Sequence, residues 1–287
     1  MRMFQTRPFQ YYLDALGDVC LGYTGDPAMP VKGVTADSRT IRPGWLFCAI
    51  PGAVQDGHRF IQAAIQAGAA GVVCERDTDV SANIARVRVS SAYAAAARLA
   101  EAAFDFPARQ LGLVGITGTN GKTTCAFLLR DLLRQAGQGP GMIGTVCYSI
   151  ADRDLAADRT TPPPFTYQRL MADMVEVGCT IAIVETSSHA LHQRRMGTVP
   201  FAVGIFTNLT GDHLDYHGDL EVYYRCKKSL FTDYLAHGAT AVINVNDSYG
   251  QRLAREIVSE RPDLTVRQVG SGEQADCRIT DSASSVA

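Results

Sequence analysis

LGLVGITGTNGKTTCAFLLRDLLRQAG, residues 111 to 137, is the stretch that decides the fold. Residues 111–116 are apolar and predict a strand, a glycine-rich turn ends at Gly121 and Lys122, and a helix pattern follows. That order is typical of a phosphate-binding turn. Gly137 is a natural helix stop, and the helix itself is specified by apolar residues at i, i+3, i+4, i+7 spacing: Cys125, Leu128, Leu129, Leu132, Leu133 and Ala136.

The chemistry of this turn favours nucleotide binding. Gly118 and Gly121 leave room for phosphate oxygens, and the helix N-terminus directs unpaired amides at them. Lys122 would reach the β and γ phosphates, and Thr123 would ligate Mg²⁺. The strict GxxxxGK(S/T) pattern fails, because Ile116 stands where it requires glycine. An ordinary glycine-rich turn is therefore the alternative.

Composition and charge narrow the class of protein. The chain has 287 residues and a formal net charge of −2, with a pI near 6.3, so no electrostatic feature points to nucleic acid or to a membrane as partner. The cysteines are scattered without a CxxC pair, which is typical of reduced thiols in a cytosolic protein. The N-terminal residues lack the apolar core of a signal peptide. We expect a soluble, cytoplasmic monomer.

Strand and helix signals alternate along the chain, which predicts an α/β protein with two domains. Residues 1–108 form a small α/β domain, a proline-containing polar stretch at 104–110 marks the boundary, and residues 109–287 form a doubly wound, mostly parallel sheet of P-loop type. The predicted strands are 31–36, 45–50, 71–74, 86–89, 142–149, 180–184, 199–206, 239–245, 264–269 and 277–280, and the helices are 58–67, 93–104, 122–136, 167–177, 220–237 and 250–260.

Ligands of such sheets bind beyond the carboxyl ends of the strands. This rule selects the phosphate turn, residues 185–189, residues 207–210, and the asparagines and aspartate at 244–247. Glu185 ends an apolar strand and is placed to coordinate the Mg²⁺ of a nucleotide, although a carboxylate capping the next turn is the alternative. The polar clusters at 37–39 and 56–58 are each explained by turn and cap chemistry when taken alone. The cluster at 207–218, with two histidines and two aspartates, could serve a metal, hydrogen-bond a ribose, or cap the helix that begins near Asp219.

Lys227 lies on an apolar stripe of the helix predicted at 220–237. Burial of such a lysine lowers its pKa toward a neutral, nucleophilic amine, whereas Lys228 shares its face with Glu221 and Arg225 and is expected to be solvated. A lysine that snorkels at the edge of the stripe is the alternative. The helical neighbours of Lys227 are all apolar or aromatic: Leu220, Tyr223, Tyr224, Leu230, Phe231 and Tyr234.

Four ordered motifs resemble the Mur ligases of peptidoglycan synthesis, most of all the branch that makes UDP-N-acetylmuramoyl-tripeptide (the MurE type). They are GTNGKTT at 118–124, ETSSHAL at 185–191, NLTGDHLDYHG at 208–218 and KxxLF at 227–231. ADSR at 36–39 and DGHRFI at 56–61 are similar to the UDP-binding region of that family. The resemblance spans about residues 31 to 270.

This resemblance implies a set of site residues. Lys227 would react with CO₂ to give a carbamate that helps to hold a second Mg²⁺, and Lys122, Lys227 and His213 would be catalytic. The implied metal groups are Thr123, Glu185, His213 and the Lys227 carbamate. The implied ATP-binding residues are Gly118, Thr119, Asn120, Gly121, Lys122, Thr123, Thr124 and Asn208. Ser38 at the uridine end, Thr160, Thr161, Ser187, Gln193 and Arg195 would bind the nucleotide-sugar peptide.

The implied reaction is ATP-dependent amide formation. ATP would phosphorylate the terminal carboxylate of UDP-MurNAc-L-Ala-D-Glu, and the amine of an amino acid, diaminopimelate or lysine, would attack the acyl phosphate. The cofactors are therefore ATP, two Mg²⁺ ions and the CO₂-derived carbamate. The residues of this chain do not say which amino acid is added.

The sequence departs from the family in two places. Ala53, Val54 and Gln55 fill a turn in which the family often has a histidine, so uracil contacts there are not predicted. The family's C-terminal domain, which binds the amino acid, is expected to be absent, so this piece alone would not ligate. The open alternatives are a truncated ligase, a non-catalytic nucleotide- and UDP-sugar-binding paralogue, and a folate-type polyglutamate ligase, against which DHLDYHG and ADSR argue.

Overall fold

The computed structural model describes residues 4–52, 55–273 and 275–280, so Ala53 and Val54 of the departing turn lie outside the described residues. The chain divides into two compact units. The first contains residues up to Ala108 with Pro163–Ala172 and Gln193–Thr198, and the second contains Arg109–Pro162, Asp173–His192 and the residues from Val199 onward. A single boundary near residue 108 does not describe the two later segments of the first unit.

The first unit is built on a five-stranded sheet of order β2-β7-β6-β5-β4. β4 to β7 are parallel, and β2 is antiparallel to β7. Both faces are covered, because α1 and α3 share one apolar core and α2 lies in another. The elements are β1 (Arg7–Pro8), α1 (Phe9–Leu16), β2 (Cys20–Thr24), β3 (Pro30–Val31), β4 (Gly33–Thr35), β5 (Trp45–Cys48), α2 (Ile61–Gln66), β6 (Gly71–Cys74), β7 (Ala85–Val89) and α3 (Ala92–Ala103).

The second unit contains a nine-stranded sheet of order β11-β10-β9-β12-β8-β13-β14-β15-β16. All neighbouring strands pair in parallel except β9 with β10 and β10 with β11, so β10 alone runs against the others. This confirms the mostly parallel α/β class. The elements are β8 (Gly112–Thr117), α4 (Lys122–Gln135), β9 (Pro140–Ile143), β10 (Cys147–Ile150), β11 (Arg153–Ala156), α5 (Pro164–Glu176, divided between the units), β12 (Ile181–Glu185), α6 (Ser188–His192), β13 (Phe201–Phe206), α7 (Leu214–His217), α8 (Leu220–Asp233), β14 (Leu235–Asn244), α9 (Ser248–Glu260), β15 (Thr265–Gly270) and β16 (Cys277–Arg278).

The strand order positions the site. Strands β9 to β12 lie on one side of β8 in the sheet, and strands β13 to β16 lie on the other side. The strand order therefore reverses at β8. In open parallel sheets the ligand crevice lies beyond the carboxyl ends at that point. The predicted phosphate turn follows β8 directly.

Several predicted elements differ from the structure. Residues 31–36 were expected to form one strand, but β3 pairs with β1 and β4 pairs with β5 in a separate sheet. Residues 142–149 were expected to form one strand, but β9 and β10 are antiparallel partners joined by a turn at 144–146. The apolar residues on both sides of Gly144 hid this reversal. The helix predicted at 220–237 ends at Asp233, and Leu235 already belongs to β14.

The apolar face of α4 also differs from the prediction. The helix and its stop are present, with Gly137 at φ 74°, but Leu128 and Leu132 are 60% and 62% exposed. Of the predicted stripe, Cys125, Leu129 and Leu133 pack against the core, together with Ala126 and Phe127. The predicted stripe was therefore wider than the face that the sheet covers.

The burial of Lys227 matches the prediction. Lys227 is 1% exposed, so the apolar stripe of α8 is buried as predicted. All eight cysteines are free thiols. Among the described residues, no helix combines the length and apolarity needed to span a bilayer.

Candidate functional site

The glycines of the turn are required by close packing. Gly118 has φ 149°, and a Cβ there would lie 1.9 Å from Thr207 Oγ1. That hydroxyl donates a hydrogen bond to the carbonyl of Asn120 at 2.6 Å. Gly121 is the N-cap of α4 in the left-handed conformation, with φ 81°. The turn that precedes α4 therefore depends on residues without side chains.

The loop after β13 braces the turn. Thr119 N donates to the carbonyl of Asn208 at 2.9 Å, and Asn120 N donates to Asn208 Oδ1, also at 2.9 Å. Thr210 N donates to Thr119 Oγ1 at 3.0 Å. Asn208, predicted to bind ATP, thus holds the backbone of the phosphate turn.

Two lysines converge on the turn. Lys122 Nζ donates to the carbonyls of Gly118 and Thr119, both at 2.8 Å. Lys227 Nζ donates to the same Gly118 carbonyl at 2.7 Å and lies 4.4 Å from the centroid of the Tyr223 ring. The structure therefore brings together two residues that are far apart in the sequence.

Both amines are shifted toward their neutral forms. Burial, followed by the positive charge of Lys122, lowers the pKa of Lys227 well below that of a free lysine. Burial also lowers the pKa of Lys122, although the charges of Glu185 and Asp212 oppose this. A buried amine with few acceptors is the form of lysine that acts as a nucleophile.

Glu185 is fully buried at the end of β12. Thr123 Oγ1 donates to its Oε2 at 2.9 Å, and Thr145 donates to its carboxylate from both its backbone N (3.0 Å) and its hydroxyl (3.1 Å). A carboxylate beside the hydroxyl of the turn provides oxygen ligands of the kind that Mg²⁺ prefers. The residues present thus fit the first predicted metal.

His213 stands apart from the buried groups. Its φ is 54°, its side chain is 49% exposed, and its Nε2 lies 3.5 Å from Asp212 Oδ2. Its ring lies 5.2 Å from that of His189 and 6.3 Å from that of Tyr223, measured between centroids. Within the described part of the chain, no three His, Cys, Asp or Glu side chains are arranged to hold a metal.

Three of the predicted substrate residues lie in the second unit. Thr161 Oγ1 donates to the carbonyl of Glu185 at 2.6 Å and accepts a hydrogen bond from Ser187 N at 3.0 Å. The hydroxyls of Thr160 and Thr145 are 3.0 Å apart. These contacts connect the predicted substrate residues to the end of β12.

The other predicted substrate residues lie in the first unit. Arg195 donates from Nε and Nη2 to Gln193 Oε1 at 3.0 and 2.7 Å. The buried Glu101 accepts hydrogen bonds from Thr198 N and Oγ1 at 2.7 and 2.9 Å, which anchors the segment that carries both residues. Ser38 begins a 3-10 turn at Ser38–Thr40.

Several polar clusters have the simple roles that turn chemistry predicts. Asp37, Asp56, Asp219 and Asp247 each accept a backbone N–H at a helix or turn start. Asn244 Nδ2 donates to the carbonyl of Thr207 at 2.7 Å. These residues shape the loops around the turn.

Sequence reasoning missed two contacts. The first is the contact of Thr145 with Glu185. Thr145 lay inside a predicted strand, and the glycine before it was the available signal for a turn.

The second is a buried pair in which His217 Nε2 lies 2.9 Å from Ser188 Oγ. Burial, with the nearby charges of His189 and His192, lowers the pKa of His217 to about 4. His217 was assigned only to a polar cluster.

The fold and this site define a class of protein. A strand, a glycine-rich turn with a lysine and a threonine, and a carboxylate at the end of the adjacent strand have the arrangement that is typical of nucleotide-phosphate sites in parallel α/β sheets. The particular family follows from comparison: residues 116–286 match the Mur ligase middle domain, and residues 30–105 match the Mur ligase catalytic domain family. The chain belongs to the Mur ligase family.

Curated relatives and a solved structure agree with this assignment. UDP-N-acetylmuramoyl-L-alanyl-D-glutamate–2,6-diaminopimelate ligases are 43% identical over 79% of this chain in Phocaeicola vulgatus and 42% identical over 82% in Geobacter metallireducens. The match covers 47% of each relative, so the chain spans about half their length. A solved structure of a ligase with that name matches 96% of this chain and 55% of its own, at 27% identity and a TM-score of 0.80.

Proposed function

We propose that the chain forms the nucleotide-binding and nucleotide-sugar-binding parts of an ATP-dependent amide ligase. The ligase adds 2,6-diaminopimelate, as the third amino acid, to UDP-MurNAc-L-Ala-D-Glu in peptidoglycan synthesis. The names of the relatives support this choice of substrate and amino acid. The free thiols support a reducing, cytoplasmic location.

One observation carries the proposal. Lys122 and Lys227 both reach the Gly118 carbonyl, next to the hydrogen-bonded pair of Thr123 and Glu185. This places two amines, a hydroxyl and a carboxylate around a turn whose backbone suits phosphate. A structural turn alone has no need of one fully buried and one partly buried lysine, because removing a charged amine from water is costly.

The proposed reaction has two steps. The terminal carboxylate of the substrate attacks the γ-phosphorus of ATP, which releases ADP and forms an acyl phosphate. The amine of diaminopimelate then attacks the acyl carbon, loses a proton, and releases phosphate as the amide forms. The turn positions the phosphates, and Lys122 exchanges its contacts with the Gly118 and Thr119 carbonyls for phosphate oxygens, where its charge stabilises the transferring group.

Mg²⁺ is the implied metal, and its site is proposed from the chain's own donors. Thr123 Oγ1 and the Glu185 carboxylate would hold one ion, which neutralises phosphate charge when bound. Lys227 would form a new N–C bond to CO₂ and lose a proton, giving a carbamate anion. We propose that this anion, with His213, holds the second ion.

We propose that the nucleotide-sugar peptide binds to the residues that the family resemblance implies: Ser38, Thr160, Thr161, Ser187, Gln193 and Arg195. Arg195 suits a diphosphate or carboxylate, because a guanidinium pairs with these groups in a bidentate manner.

The test is phosphate release by the protein expressed from the complete reading frame, with ATP and UDP-MurNAc-L-Ala-D-Glu. Diaminopimelate and lysine are supplied in separate reactions, and the product is identified by mass. We expect release with diaminopimelate and little with lysine. Binding of both nucleotides without release would favour the non-catalytic alternative, and release with a pteroate-type substrate would favour a folate-type ligase.

A further inference from the structure

A cavity of about 640 Å³ lies in the first unit, along strand β4. β4 is the edge strand of its sheet, next to β5. Gly33 of β4 has no side chain, and a Cβ there would lie 2.6 Å from the Trp45 ring and 2.7 Å from the Phe4 ring. The missing side chain lets these two rings meet at the cavity wall.

The wall of the cavity is aromatic. The ring of Phe4 packs edge-to-face against Trp45, with centroids 5.2 Å apart, and against Phe104, with centroids 5.1 Å apart. Phe165 completes the set of lining aromatics. All four side chains are only partly buried, so the wall offers ring surface on which a flat apolar group can pack.

The polar part of the lining is cationic. Lys32, Arg39, Arg42 and Arg169 line the cavity, and none of its described lining residues is acidic. Arg39 pairs with Asp37 at 2.7 Å, and the Arg42 guanidinium lies 5.8 Å from the centroid of the Trp45 ring.

Two of these cations have no partner of their own. Among the described residues, neither Lys32 nor Arg169 has an ion pair or a side-chain hydrogen bond, and both are exposed. The charge of Arg39 is offset by Asp37, but nothing in the lining offsets the charges of Lys32 and Arg169. The cavity therefore offers positive charge beside an apolar wall.

The cavity differs from the region proposed for the nucleotide sugar. Arg39 is the residue that the two share, and neither Ser38 nor any described residue of 56–61 lines the cavity. The lining runs from Lys32, before β4, to the turn that follows β4 at residues 39–41, and it includes Arg42 and Trp45 at the start of β5. Ser38 and residues 56–61 of the nucleotide-sugar region do not take part in it.

We propose that this cavity binds a small anion that carries a planar apolar ring, such as an aromatic carboxylate, sulfonate or phosphate monoester. The ring packs on the wall formed by Phe4 and Trp45, and the acidic group pairs with Lys32 and Arg169. A volume of about 640 Å³ suits a ligand of this size, since small-molecule sites commonly enclose about 300–1,000 Å³.

Trp45 provides a direct readout, because it is the only tryptophan in the sequence. The probe is 1-anilinonaphthalene-8-sulfonate. Energy transfer from Trp45 reports a probe bound near Trp45, and substitution of the lining cations tests whether it lies in this cavity. N-phenyl-1-naphthylamine, which lacks the sulfonate, is the uncharged control. We expect saturable transfer with one probe per chain, and about tenfold weaker binding of the sulfonate after Lys32→Ala with Arg169→Ala. Binding of the uncharged control should not change.

Arg153→Ala is the matched control, since Arg153 is an exposed cation of β11 in the second unit. Thermal unfolding checks that each variant is folded. Equal weakening by Arg153→Ala, or non-saturable transfer, overturns the proposal. Displacement of the probe by UDP-MurNAc-L-Ala-D-Glu also overturns it, because the cavity would then be part of the substrate site. ATP binding by the same variants tests the proposed function separately.

Discussion

Lys122 and Lys227 donate hydrogen bonds to one atom, the carbonyl oxygen of Gly118, at 2.8 and 2.7 Å. Two ammonium groups so close to one acceptor repel each other, and Lys227 is the more deeply buried. Burial and the Lys122 charge therefore keep the pKa of Lys227 low, which favours its neutral amine. That amine is the form that reacts with CO₂.

The first prediction concerns this reaction. Protein equilibrated with ¹³C-bicarbonate should give a carbamate carbonyl signal in ¹³C NMR, and Lys227→Met should remove it. Lys228→Met is the control: burial alone would lower the pKa of Lys228, but hydrogen bonds to Glu256 and Glu260 raise it and keep that lysine charged. A signal that persists in Lys227→Met contradicts the assignment.

Gly118→Ala should disrupt the turn. The new Cβ would lie 1.9 Å from Thr207 Oγ1, at a φ of 149°. We expect a loss of about 1–3 kcal/mol in the free energy of unfolding, measured in urea, together with weaker ATP binding. Gly211→Ala in the neighbouring loop meets no atom within 4 Å and should change little. Equal effects of the two substitutions would show that the turn is not closely packed.

Glu256 should make stability depend on acid pH. Burial opposes its ionisation, but hydrogen bonds from Lys228, Arg252 and Tyr224 outweigh this and lower its pKa to about 2. A carboxylate with a lowered pKa stabilises the fold above its unfolded value of 4.5, and this contribution is lost as the pH falls toward 2.

Glu256→Gln should therefore cost about 1–3 kcal/mol in the free energy of unfolding at pH 7. The difference between wild type and variant should shrink at pH 3, where the carboxylate of the unfolded chain is already protonated. Urea unfolding at both pH values measures it. The same difference at pH 3 and pH 7 would mean that the charge of Glu256 does not stabilise the fold.

The sequence was informative where a local pattern controls the structure. The strand, glycine turn and helix around Lys122 follow from apolar periodicity and glycine placement, and the burial of Lys227 follows from its helical neighbours. Both depend on residues within a few turns of each other. The mostly parallel sheet follows from the alternation of strands and helices.

Other features depend on contacts between residues that are far apart in the sequence, and local periodicity does not predict such contacts. Gly144 reverses the chain within one apolar run, so the hairpin that carries Thr145 to Glu185 was read as a strand. Leu128 and Leu132 fit the apolar stripe of α4, yet the sheet covers only the side of Leu129. The bracing of the phosphate turn by Asn208 and Thr210 requires β13 to lie beside β8, which the order of elements alone does not fix.

The most direct measurement compares two adjacent lysines in the protein expressed from the complete reading frame. Diaminopimelate-dependent phosphate release is measured for Lys227→Met and for Lys228→Met, because Lys227 reaches the Gly118 carbonyl whereas Lys228 pairs with Glu256 and Glu260. We predict a loss of about 100-fold or more for Lys227→Met and near-normal turnover for Lys228→Met. Unchanged turnover in Lys227→Met, or equal losses in both variants, would contradict the account.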